Sequence, residues 1–259
     1  MAAPNAKVYA DGTPRHTVRV AVFIPTECQL LDAASVDIIG SMGYEYMWAF
    51  RHLLPPAIVD LAPSVEIHYV GVVPAGSPIK VTSNESILAT DHYADASVAP
   101  GKLDVILVPG PDPAAQREKG ALEWLKKQAE TPGVDILSVC TGIFVCGEAG
   151  LLKGKTACGP RALQGMIRER GFGEKELVGD KWRWVQDGNF WSGGGVTNGN
   201  DLVAAYCRAT PRHFPRPTAE VAIETMEVGD RGREYLTEVP LEMKIKHWVA
   251  EAEALIAKK

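Results

Sequence analysis

Three short runs, residues 18–24, 103–108 and 134–139, are almost continuously apolar and rich in β-branched side chains. Such runs suit strands buried on both faces of a parallel sheet. Segments of helical length separate them. Residues 114–130 set Leu122, Leu125 and Ala129 at helical intervals among charges, and Thr131-Pro132-Gly133 then breaks the pattern. This alternation predicts a wound α/β sheet sandwiched by helices.

Further on, residues 182–185 and 189–192 flank an Asp187-Gly188 turn, which predicts a β-hairpin and therefore a mixed sheet. Trp182, Trp184 and Trp191 are expected to pack that hairpin. Residues 198–209, 218–228 and 241–257 read as helices, the last carrying Met243, Ile245, Trp248, Ala252 and Ile256 as one apolar stripe. Tyr44, Tyr46, Trp48 and Phe50 alternate in a segment that suits core packing, a substrate wall or a subunit contact. The expected organisation is a flexible segment 1–16, a single α/β domain 17–230 and a helical extension 231–259 of the same domain.

Composition narrows the field. A chain of 259 residues can bury one ordinary core. Its 27 Lys and Arg against 32 Asp and Glu give a net charge of -5, with no basic block to neutralise a phosphate backbone, so no nucleic-acid partner is expected. Residues 1–16 are polar, and no apolar run approaches the roughly 18 residues of a membrane span. Cys28, Cys140, Cys146, Cys158 and Cys207 form no CxxC pair and sit mostly in apolar segments, which fits a reducing, cytoplasmic setting. Cys146 and Cys207 are expected to be packing residues.

Ser138-Val139-Cys140-Thr141-Gly142 closes a buried strand and opens a helix. In an open α/β sheet, ligands bind at the carboxyl ends of the strands, where a side chain on such a turn is presented. The positive end of the following helix favours thiolate over thiol, so Cys140 is expected to titrate below the free value of about 8.5. Asp32 follows the first strand and reaches the same edge, as a helix N-cap or as a carboxyl that keeps its proton against the sulfur.

Residues 18–24 followed by Gln29-Leu30-Leu31-Asp32, residues 104–110, residues 138–154 with Glu148-Ala149-Gly150-Leu151-Leu152, and residues 188–201 together resemble the ThiJ/PfpI superfamily. The resemblance spans residues 18–228 and implies a flavodoxin-like, class I glutamine amidotransferase-like fold with the hairpin and an added C-terminal helix. The motif is similar to that of the isocyanide hydratase branch, whose nucleophile is the Cys of a Cys-Thr-Gly turn and whose acid is an Asp of the first strand-helix loop. Those positions are Cys140, Thr141 and Asp32. The resemblance further implies a homodimer, a small-molecule substrate, and no metal or organic cofactor.

The chain departs from the superfamily in two ways. No histidine stands after Cys140 or at Pro160, where relatives carry a base, so peptidase and amidase chemistry lose ground. The usual Gly-Gly of the oxyanion turn is Gly110-Pro111, and proline has no N–H to donate. Either Asp112 supplies the donor beside the Thr141 N–H, or the reaction builds no strong oxyanion, with Gly110 and Cys158 as further expected pocket residues. The expectation is a cysteine-dependent hydratase or lyase for a small electrophile. The alternatives are a redox sensor or stress-protective protein using the same thiol, and glyoxalase-type conversion of 2-oxoaldehydes.

Overall fold

The structure, a computed structural model, describes residues 7–236 and 241–256. Thr17–Ile24 forms β1, and four short helices follow: α1 (Leu30–Ala34), α2 (Val36–Ser41), α3 (Tyr44–Ala49) and α4 (Pro56–Leu61). β2 (Ser64–Gly71), β3 (Pro78–Lys80), β4 (Ser86–Leu88) and β5 (Asp91–His92) lead to β6 (Val105–Val108). Next come α5 (Lys119–Glu130), β7 (Asp135–Val139), α6 (Gly142–Glu148), β8 (Thr156–Ala157), α7 (Gln164–Arg170) and β9 (Glu176–Leu177). The hairpin of β10 (Trp184–Asp187) and β11 (Phe190–Gly193) precedes α8 (Asn198–Ala209), α9 (Arg216–Thr225) and α10 (Leu241–Ile256).

The main sheet has seven strands in the order β10-β11-β7-β6-β1-β2-β5, parallel throughout except for β10 against β11. Strand order reverses between β1 and β6, which makes a crevice at their carboxyl ends, as in flavodoxin-like sheets. Successive side chains of β1 explain the layers. Val18, Val20, Val22 and Ile24 face α2, α8 and α9 in one core, while Ala21 and Phe23 face α5 and α6 in the other. Trp184 and Trp191 stack on the hairpin, with ring centroids 5.8 Å apart. Cys146 and Cys207 are wholly buried helix residues. Among the described residues no helix is long and apolar enough to cross a membrane.

Several elements differ from expectation. The helix expected over 114–130 begins only at Lys119, because Arg117 ties the preceding loop to α6 through two bonds to Glu148, at 2.7 and 2.8 Å. The helix expected over 218–228 is Arg216–Thr225, opened by Pro215. Strand β2, with polar Glu66 and His68 alternating with apolar residues, was not among the expected strands, yet it pairs with β1 along eight residues. The aromatic segment is helix α3, where Tyr44 is buried while Tyr46 and Phe50 are exposed one turn apart. Run 231–236 is not helical; it lies along the start of the hairpin.

Residues 7–16, expected to be flexible, are pinned by a buried cation. The Arg15 guanidinium donates to Ala62 O (2.5 Å), Asp60 O (2.7 Å) and Val8 O (2.9 Å) and lies over the rings of Tyr9 and Tyr44. Residues 1–6 lie outside the described residues. Arg15→Ala leaves the Ala62 carbonyl without this donor and is expected to cost about 2–3 kcal/mol in urea unfolding. A loss under about 0.5 kcal/mol, typical of surface changes, contradicts the anchoring role.

Candidate functional site

The chain turns from β7 into α6 at Cys140, whose φ of 56° lies in the left-handed region that a residue with a Cβ occupies at a cost of about 1–3 kcal/mol. Two contacts hold it there. The Cys140 N–H donates to Gly193 O (3.3 Å) and Gly194 O (3.2 Å) at the end of β11. α6 also packs so close to β6 that a Cβ on Gly142 would lie 2.1 Å from Val108 O, so only glycine fits. The result is a buried thiol, 8% exposed, at the carboxyl edge of the sheet.

Asp32 comes from the opposite side of the crevice. It lies within α1, whose N-cap is Gln29, so the capping role is taken by another residue. Its side chain is 0% exposed. Oδ2 accepts the Gly110 N–H at 3.0 Å, across the point where strand order reverses. Oδ1 is buried without a hydrogen-bond partner among the described residues. Burial pushes the Asp32 carboxyl up to about 7, against the opposing pull of the Gly110 N–H and the neighbouring Cys140 thiol.

The expected acidic thiol is not found. Burial, and then the charge of Asp32, push Cys140 up to about 11. The backbone N–H groups of Val196 and Thr141 favour the thiolate, yet they are outweighed. The start of a seven-residue helix therefore loses to desolvation and a like charge. Within this pair the carboxyl ionises first.

The three expected pocket residues take other parts. Gly110 gives its N–H to Asp32, and a Cβ there would meet Thr141 Oγ1 at 2.3 Å and Asp32 Oδ2 at 2.6 Å; it clamps the carboxyl and is not a free donor. Asp112 cannot supply the donor missing at Pro111, because its N–H is spent on Glu27 Oε1 at 2.8 Å. Cys158 packs with Val178, Val185 and Trp182, its Sγ 3.2 Å from Trp182 O, in a separate cluster behind the hairpin. Thr141 is where expected, but its hydroxyl donates to Pro111 O at 2.7 Å and its N–H faces the Cys140 sulfur.

Val196, missed in the sequence, adds the second N–H toward that sulfur. The glycine run Gly193-Gly194-Gly195 just before it is the signal, since glycines at a strand end allow close backbone approach. Among the described residues no group of three or more His, Cys, Asp or Glu could hold a metal ion. His16 and His213 stack on each other away from this pair, and His68 bonds to Asp91 at 2.8 Å.

The DJ-1/PfpI family model matches residues 52–209. Isonitrile hydratase of Pseudomonas putida is 34% identical over 154 residues, which amount to 58% of this chain and 61% of that relative, so the match spans less than two thirds of its length. Among solved structures, a ThiJ/PfpI family protein from Pseudomonas syringae aligns with a TM-score of 0.64 at 20% identity, over 92% of this chain and 88% of the other. DJ-1beta of Drosophila melanogaster aligns with a TM-score of 0.62 at 16% identity, over 82% and 98%. At these identities the two structures speak to fold alone. With most of its length matched by the family model, the chain belongs to the DJ-1/PfpI family.

Proposed function

We propose a cofactor-free, cysteine-dependent hydratase or lyase acting on a small electrophile, with isocyanide to N-substituted formamide as its reaction. One observation carries this reading: a wholly buried carboxyl lies within hydrogen-bonding reach of a thiol on a strained elbow. The partial identity to isonitrile hydratase supports the substrate class.

Because Asp32 ionises before Cys140, its carboxylate takes the thiol proton when the electrophile is bound. That transfer also removes the charge that disfavours the thiolate, while the N–H groups of Val196 and Thr141 hold the sulfur. The thiolate attacks the isocyanide carbon, a C–S bond forms, and Asp32 returns the proton to that carbon, giving a thioimidate. Water then adds across the C=N bond, with Asp32 taking its proton and passing it to nitrogen. The Thr141 oxygen accepts a hydrogen bond from this water. The C–S bond breaks, the hydroxyl proton returns to sulfur, and the formamide leaves. The sum is isocyanide plus water, with no change of oxidation state.

The sensor reading needs a thiolate at neutral pH. The 8% exposure of Cys140 restricts oxidants, while the Asp32 carboxyl beside it gives the enzyme reading a base. We also propose a homodimer, for which Tyr46, Phe50 and Leu53 offer exposed apolar surface beside α3. A monomeric mass by light scattering at micromolar concentration contradicts it.

Cys140→Ser is expected to abolish formamide formation from an alkyl isocyanide, and Asp32→Asn to lower it at least about a hundredfold. Unchanged turnover by either variant sinks the mechanism. The Asp32 carboxyl also makes a stability prediction. Its folded value of about 7 lies above the ordinary 3.8, so the native state holds a proton that the unfolded chain gives up, and stability falls as pH rises from about 4 to 7. Asp32→Asn should therefore gain stability relative to the parent at pH 8, by an amount on the order of a few kcal/mol larger than at pH 4. Equal differences in urea unfolding at the two pH values contradict the assignment.

A further inference from the structure

Beside the Cys140 elbow, arginines outnumber carboxylates: Asp201 pairs with Arg231 at 2.6 Å and its charge also acts on Arg183, while Arg161 has no carboxylate among the described residues. Arg161 follows β8, Arg183 precedes β10, and run 231–236 lies against the latter: the Arg183 N–H donates to Arg233 O at 2.7 Å and the Tyr235 N–H to Lys181 O at 3.0 Å. This run brings Tyr235 to the elbow. Asn198 Nδ2 donates to the Tyr235 hydroxyl at 2.7 Å, and a Cβ on Gly194 would lie 3.0 Å from the same oxygen. Gly194 is one of the two residues whose carbonyls accept the Cys140 N–H.

The guanidinium groups of Arg161 and Arg183 both lie over the Tyr235 ring, 4.3 and 4.5 Å from its centroid. Two cations on one ring repel each other, and stacking offsets only part of that cost. Other partly buried arginines of this chain meet carboxylates, as in Arg117 with Glu148, Arg208 with Glu220 and Arg231 with Asp201. Arg161 is half-buried and has no hydrogen bond or ion pair among the described residues, and its guanidinium lies over the Tyr235 ring. Arg183 spends Nε on Gly232 O (3.1 Å) and Nη1 on Asn198 Oδ1 (3.3 Å), which leaves Nη2. A planar fork of open N–H donors suits a carboxylate.

We propose that Arg161 and Arg183 form an anion-binding subsite beside Cys140, so that the substrate carries a carboxylate as well as its electrophilic carbon. This rests on the reading of Cys140 as the nucleophile. Position fits the task, because both arginines sit on segments that adjoin the carboxyl end of β11, next to that of β7.

The test compares alkylation of Cys140 by iodoacetate and by iodoacetamide at one pH, so that thiolate content cancels in the ratio. Cysteine in free solution supplies the reference ratio. The parent protein is expected to exceed the reference about fivefold in favour of iodoacetate, Arg161→Gln to lose that preference, and Arg161→Lys to keep most of it. A parent ratio no higher than the reference, or one unchanged in Arg161→Gln, overturns the subsite. Arg161 makes no hydrogen bond to the protein among the described residues, so its replacement leaves the fold's own bonds intact. Calorimetric titration of the Cys140→Ser protein with malonate reads the same site without the thiol. Binding there that weakens at least about fivefold with Arg161→Gln supports the proposal, and no binding overturns it. If neither reagent alkylates Cys140, the nucleophile reading fails, and the malonate titration alone decides the subsite.

Discussion

A carboxyl group taken wholly out of water organises this site. Asp32 receives one backbone N–H, from Gly110, against the cost of its burial, and that single bond dictates much of its surroundings. Gly110 must approach so closely that no side chain fits, which sets the loop after β6 against Thr141 and α6. The same desolvation raises both the carboxyl and the neighbouring thiol, and so leaves the pair poised to exchange one proton rather than to hold two charges. The reversal of strand order supplies the place where segments from β1 and β6 can meet in this way.

Such an arrangement trades stability for chemistry. Cys140 sits in backbone space that costs energy, and among the described residues Asp32 Oδ1 has no backbone donor. The layers behind them are conventional by comparison: β6 and β7 are buried at every position, with apolar helices on both faces. A tightly packed scaffold is what lets the crevice remain unsatisfied.

Much of this was legible in the sequence, because it depends on local pattern. Apolar runs mark β1, β6 and β7, the Asp187-Gly188 turn marks the hairpin, and the place of Cys140 and Asp32 follows from their position just after strands. What was illegible depends on partners far away along the chain. Whether the Asp112 N–H is free is decided by Glu27, and whether the Gly110 N–H is free by Asp32. The acidity expected of Cys140 failed for the same reason, since a helix start is visible in sequence while the depth of burial is not. Strand β2 hid behind its polar alternation, and residues 114–118 were held out of helix by a side-chain bond that no local propensity encodes.

The run 231–236 has a consequence beyond the site. The outermost strands of an open sheet present unpaired backbone groups that can template the growth of neighbouring chains. Here β5, at one margin, is only two residues long and carries the buried charge of Asp91. At the other margin, the bridge between Trp182 and Glu234 and the bond from Arg183 to Arg233 cover the chain as it enters β10. The segment that delivers Tyr235 to the elbow thus also occupies backbone groups at the entry to the edge strand, so one short run serves both the site and the margin of the sheet.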